Sequence, residues 1–110
     1  MICIIIPAYN EEDSIERVIK EVKKRYEFIV VVDDGSTDDT VMKSRKAGAS
    51  YVVRHPVNRG LGAATRTGLE KAYELGADIA VKIDADFQHD PEDIERVIQP
   101  ILDDYAVCVS

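Results

Sequence analysis

Two stretches, ICIII at residues 2–6 and FIVVV at 28–32, are apolar without alternation. A half-exposed strand alternates apolar with polar residues; an unbroken β-branched run of this length needs both of its faces covered. The first run stops at Pro7 and the second at Asp33; each gives way to a polar loop that leads into a segment with helical spacing. After the first run, Ile15, Val18, Ile19 and Val22 fall on one helical face behind an acidic start, NEED, which predicts a helix over 11–24.

The scheme then repeats along the chain. A helix is expected to about residue 46 behind a cap at Asp38 or Thr37, followed by a short strand in SYVVRH. A further loop and helix in NRGLGAATRTGLEKAYELG closes at Gly76, and DIAVKID makes a fourth strand. A helix over 91–102 and a fifth strand in YAVCVS complete the pattern. Strands alternating with helices of this length imply right-handed crossovers, so the expected class is α/β: a mostly parallel sheet with helices on both faces, in one domain covering 1–110.

Composition narrows the partners. The 14 Lys+Arg against 21 Asp+Glu leave a net charge of −7, which repels a polyphosphate backbone, and no nucleic-acid partner is expected. Cys3 and Cys108 sit inside apolar runs without metal-ligand spacing, and read as core thiols of a reducing, cytoplasmic compartment. The opening MICIIIPAYN is too short for a transmembrane segment and lacks the basic start of a signal peptide.

In a parallel sheet, ligands sit at the carboxyl ends of the strands where strand order reverses. Three strands end in polar signatures that would meet there: PAYNEE, DDGSTD and DADFQHD. Each alone could be a turn or a helix cap, but the three together point to a site. Of Asp33 and Asp34 only one can face a ligand, and Asp34, nearer the loop, is the better placed. Asp84 and Asp86, one residue apart, would project to the same side of an extended strand. At about 5 Å and an effective dielectric near 20 they repel by roughly 3 kcal/mol, a cost that a bridging cation removes. Oxygen donors from carboxylate and amide, with Gln88 as a third ligand, suit Mg2+ or Mn2+ better than Zn2+. His89 reads as a loop histidine and Asp90, before Pro91, as a helix cap.

Other chemistries are excluded by spacing. GLGAAT has Gly60 and Gly62 but Thr65 where a dinucleotide fingerprint needs its third glycine, and it does not follow the first strand, so no nicotinamide or flavin is expected. A phosphate-binding G-x-x-x-x-G-K-[ST] loop and a nucleophilic triad are also absent from the sequence.

In this order, IIIPAYNEEDSI, VVDDGSTDDT, NRGLGAATRTGLEKA and DADFQHDPEDI resemble the amino-terminal, donor-binding half of family 2 glycosyltransferases, nearest the polyprenyl or dolichyl phosphate mannose synthases. The resemblance implies the Rossmann-like nucleotide-binding half of an A-type glycosyltransferase fold. It also implies Mg2+ or Mn2+, and transfer of a hexose, mannose by this resemblance, from GDP-mannose or a UDP-hexose to an acceptor such as a polyprenyl phosphate. By the same resemblance Pro7, Ala8, Tyr9 and Glu11 frame base and ribose, Asp34 contacts the nucleoside, and Gly60, Gly62 and Arg66 lie beside the nucleotide. Asp84 and Asp86 form the D-x-D motif, Asp84 near ribose and metal, Asp86 on the metal, with Gln88 completing the shell.

The resemblance places the acceptor half and the catalytic base beyond residue 110, so no catalytic residue is assigned. Two classes of function follow: the donor half of a glycosyltransferase peripheral to a membrane, or a nucleotide- and metal-binding module acting in assembly or regulation. Apolar surface left bare by the absent half would favour a homo-oligomer.

Overall fold

The computed structural model describes residues 1–85. The expected helix over 91–102, the fifth strand, and Asp86, Gln88, His89, Asp90 and Cys108 lie outside the described residues.

Within them the chain alternates strand and helix: β1 (Ile2–Ala8), α1 (Ile15–Lys23), β2 (Phe28–Asp33), α2 (Thr40–Ala47), β3 (Tyr51–Arg54), α3 (Leu61–Glu74) and β4 (Ile79–Lys82). All three pairings are parallel and the strand order is β3-β2-β1-β4. After β1 the chain steps to β2 and β3 on one side, then α3 carries it back across to β4 on the other. The strand order therefore reverses at β1, and a crevice opens between the carboxyl ends of β1 and β4.

The two unbroken apolar runs became the two central strands, and both of their faces are covered. Ile4, Ile6, Ile29 and Val31 pack against Ile15, Val18, Ile19 and Val22 of α1. Cys3, Ile5, Val30 and Val32 pack against Ala64 and Ala72 of α3. Burial pushes the Cys3 thiol up to about 11, so it stays a protonated core side chain. Helix α3 lies close to the sheet because Gly68 faces it: a Cβ there would come 2.3 Å from Ile5 Cγ2.

Two boundaries around the first loop differ from the sequence expectation. Pro7 was expected to stop the first strand, yet β1 runs to Ala8, with Pro7 opposite Val32. The Ile5 carbonyl accepts from Ile83 N–H and the Ala8 carbonyl from Asp34 N–H, so odd positions of β1 turn their polar groups to β4 and even ones to β2. Pro7 thus lacks its N–H on the β4 side, beyond the last β1–β4 pair, Ile5 with Lys82, where no ladder bond is lost. Helix α1 begins at Ile15 rather than 11: the Glu11 carbonyl accepts from Ser14 and Ile15 N–H in a turn that leads into the helix, while the Glu11 and Glu12 N–H groups donate to Thr40 Oγ1 and Asp38 Oδ2 and hold this stretch to the neighbouring loop.

Candidate functional site

The loop after β1 is clasped to the loop after β2. Asn10 stands at a φ of 51°, a left-handed conformation that asparagine tolerates. Its N–H donates to Ser36 Oγ at 2.8 Å and its Oδ1 accepts from Thr37 N–H at 2.9 Å. Glu11 N–H donates to Thr40 Oγ1 at 2.9 Å, and Glu12 Oε2 accepts from Asp39 N–H at 3.1 Å. Asp38 or Thr37 was expected to cap α2. The helix instead starts at Thr40, whose N–H and hydroxyl both donate to Asp38 Oδ1. Burial would raise the Asp38 carboxyl, but its bonds from Thr40 and from Glu12 N–H outweigh that and hold it below the ordinary 3.8.

The loop after β3 is pinned to Asp34. Arg59 N–H donates to Asp34 Oδ1 at 2.9 Å and Gly60 N–H to Oδ2 at 2.8 Å. His55 Nδ1 lies 2.9 Å from Oδ1, and its Nε2 lies 2.8 Å from Thr67 Oγ1 on α3. Burial pushes the Asp34 carboxyl up; the His55 hydrogen bond, the two backbone N–H groups and the attraction of His55 overcome it, so the group is held below 3.8 and stays ionised at neutral pH. Asp33 is fully buried away from this contact. Its Oδ2 accepts from Ser36 N–H at 3.0 Å, while Oδ1 has no hydrogen-bond partner among the described residues.

The segment after β4 is tied back to the first loop by Ser14, whose hydroxyl donates to the Ala85 carbonyl at 2.8 Å and lies 3.2 Å from Glu11 Oε2. Ser14 precedes α1 but caps nothing with its side chain, since the hydroxyl is used here. Asp84 is exposed, and the nearby cation is Lys82, its Nζ 3.5 Å from Asp84 Oδ1.

These loops enclose a cavity of about 430 Å³ at the crevice. Pro7, Ala8, Tyr9 and Glu11 supply the β1 side, Asp34 and Gly60 one wall, and Asp84 the β4 side. Gly62 and Arg66 line a neighbouring groove of about 660 Å³, with Leu69 and Lys82; Leu61 borders both. Asn58, Leu61, Ala64 and Ala85 in the cavity wall, and His55, Thr67 and Ser14 behind it, were not expected from the sequence. A histidine ending an apolar run, next to Pro56, was the one available signal for His55.

The cavity is an acidic slot with an aromatic flank. Tyr9, 46% exposed, offers a stacking face; Asp34 offers an acceptor-only carboxylate; Glu11 and Asp84 add negative charge. Such a slot takes a molecule with a planar ring and hydrogen-bond donors, and admits an anionic group only beside a cation. Among the described residues no group of three or more His, Cys, Asp or Glu could hold a metal ion.

A parallel sheet with helices between its strands and a cavity at its topological switch point defines a doubly wound α/β domain. The sequence profile of glycosyl transferase family 2 matches residues 3–110, and the chain belongs to that family. It is 46% identical to the UDP-N-acetylglucosamine–dolichyl-phosphate N-acetylglucosaminyltransferase of Methanococcus voltae, over 94% of this chain and 48% of that protein. It is 36% identical to the dolichol-phosphate mannosyltransferase of Pyrococcus furiosus, over 99% of this chain and 32% of that protein. The chain thus spans a third to a half of the length of these relatives. The fold matches glucosyl-3-phosphoglycerate synthase from Mycobacterium tuberculosis, crystallised with Mn2+, UDP-glucose and phosphoglyceric acid, at a TM-score of 0.79 and 32% identity, over 93% of this chain and 39% of that one. The same enzyme was also crystallised with Mg2+ and UDP. The sheet has the α/β architecture of these A-type glycosyltransferase structures.

Proposed function

We propose that this chain is the donor-binding part of a glycosyltransferase that moves a sugar from a nucleotide-diphosphate donor to a polyprenyl phosphate. One observation carries the reading: Tyr9, Asp34 and Asp84, from three different strand ends, line a single cavity at the switch point of the sheet. Tyr9 flanks the base, Pro7, Ala8 and Glu11 frame base and ribose, and Asp34 accepts from the nucleoside. Gly60 lets the start of α3 approach the donor, while Gly62 and Arg66 extend the contact into the neighbouring groove.

A divalent cation, Mg2+ or Mn2+, fits the donor set. Asp84 carries an exposed carboxylate with one lysine near it, and the residues that would complete a hard, oxygen-rich shell are Asp86 and Gln88. Bound there, the cation supplies the positive charge that an acidic slot needs to hold a diphosphate and to stabilise it as it departs. The chain's own residues bind and orient the nucleoside end.

The names of the relatives support two sugars. Mannose follows from the Pyrococcus relative and N-acetylglucosamine from the Methanococcus one. A lipid acceptor places the reaction at a membrane surface on the cytoplasmic side; among the described residues no helix is long and apolar enough to cross a bilayer. The test is sugar transfer itself. Radiolabelled UDP-N-acetylglucosamine and GDP-mannose are offered with a polyprenyl phosphate in detergent, using the longest natural form of the chain. Label entering the lipid fraction from one donor supports the reading and chooses the sugar; label from neither donor refutes it.

A further inference from the structure

His55 is explained by neither the sheet nor the donor cavity. It follows β3, is 5% exposed, and joins two groups from different elements: Asp34 after β2 and Thr67 on α3. An ionised carboxylate only accepts, so Nδ1 carries a proton and donates to Asp34 Oδ1. The Thr67 hydroxyl also lies 3.0 Å from the Ala63 carbonyl. With one proton and two lone pairs, that hydroxyl accepts from a charged ring and donates to a neutral one, so the ring is held at both ends in either state.

The acceptor count on Asp34 gives this clamp a consequence. Oδ1 takes two donors, His55 Nδ1 and Arg59 N–H, which fill its lone pairs. Oδ2 takes one, Gly60 N–H. The remaining acceptor site of a carboxylate in the cavity wall is therefore on Oδ2.

We propose that His55, anchored by Thr67, is the positioning residue for Asp34: by occupying Oδ1 it turns the free lone pair of Oδ2 to an N–H or O–H donor of the bound nucleoside. The proposal rests on the donor-binding reading above. His55 touches no ligand, and acts only through the carboxylate it orients.

Two substitutions of similar polarity separate positioning from packing. In His55→Asn the amide nitrogen takes the place of Nδ1 and can still donate to Asp34. In His55→Gln the amide reaches past Asp34 toward Thr67, although glutamine is nearer histidine in volume. Calorimetry with UDP and GDP in the presence of Mn2+ reads the nucleoside end, and inorganic pyrophosphate with Mn2+ reads the other end. The expected result is that His55→Gln binds the preferred nucleotide about tenfold more weakly or worse, while His55→Asn stays within about threefold of wild type. Pyrophosphate affinity should be unchanged in both. Glutamine binding as well as or better than asparagine, equal losses for nucleotide and pyrophosphate, or unfolding of both variants would each make His55 a packing residue and overturn the proposal. A wild-type chain that binds neither nucleotide overturns the donor-binding reading and this inference with it, whereas wild-type binding with no loss in His55→Gln overturns this inference alone.

Discussion

Gly35→Ala should damage both stability and the site, because Gly35 is where the β2 loop meets the β3 loop. Its φ of 80° costs a residue with a Cβ about 1–2 kcal/mol. The added methyl would also stand 2.5 Å from Asn58 N and 2.6 Å from Val57 C, both backbone atoms. Ordinary contact begins near 3.4 Å, so the 57–58 segment must retreat by about 0.9 Å, an overpacking cost of about 1–3 kcal/mol. Together these give a loss of about 2–5 kcal/mol, a large share of a small domain's stability. The same retreat carries Arg59 and Gly60 away from Asp34, stretching bonds of 2.9 and 2.8 Å beyond the range in which they hold. The chain has no tryptophan, so urea unfolding is followed by far-ultraviolet circular dichroism. With a slope of about 1–2 kcal/mol/M the midpoint should fall by 1 M or more. A variant within about 0.5 kcal/mol of wild type, with undiminished nucleotide affinity, would refute the coupling between Gly35 and the Asp34 cradle.

Three further outcomes are expected. The Asp34 and Asp38 carboxyls are depressed in the folded chain, so below about pH 4 the unfolded chain binds more protons and stability falls as pH drops through their folded values; Asp34→Asn should flatten that acid limb, as read by urea midpoints from pH 6 to 2. Gly68→Ala should lose about 1–2 kcal/mol, since the clash with buried Ile5 exceeds the helix-propensity gain, whereas Gly62→Ala, with nothing within 4 Å, should gain about 0.5–1 kcal/mol; thermal melts of the pair give the sign of each. Asp86→Ala should abolish metal-dependent nucleotide binding while leaving the melting temperature equal or slightly raised; unchanged affinity in calorimetry would move the metal elsewhere.

The sheet was legible because β-branched runs have few alternatives: 2–6 and 28–32 had to be covered on both faces, and they are the central strands. Boundaries were harder to read where a residue's partner is remote in sequence. Pro7 looked like a stop because its neighbour on the β4 side, which decides whether its missing N–H matters, comes more than seventy residues later. NEED looked like a helix start because local spacing does not reveal that Glu11 and Glu12 bond to Thr40 and Asp38, 29 and 26 residues away. The polar strand ends were visible as motifs; strand alternation let only one of Asp33 and Asp34 face a ligand, and Asp34 was preferred for lying nearer the loop. The groups that fix Asp34 were not visible: His55 is 21 residues away and Thr67 acts through it, contacts that exist only once α3 has packed on the sheet.

The central claim is that the crevice between β1 and β4 binds a nucleotide-diphosphate sugar with the help of a divalent cation. Calorimetric titration of the chain with UDP-N-acetylglucosamine, GDP-mannose, UDP-glucose and GDP, each with Mn2+ and again with chelator, tests it directly. Saturable binding of one donor that disappears with chelator and with Asp34→Asn is the predicted result; no heat from any nucleotide, or binding indifferent to both metal and Asp34, would contradict it.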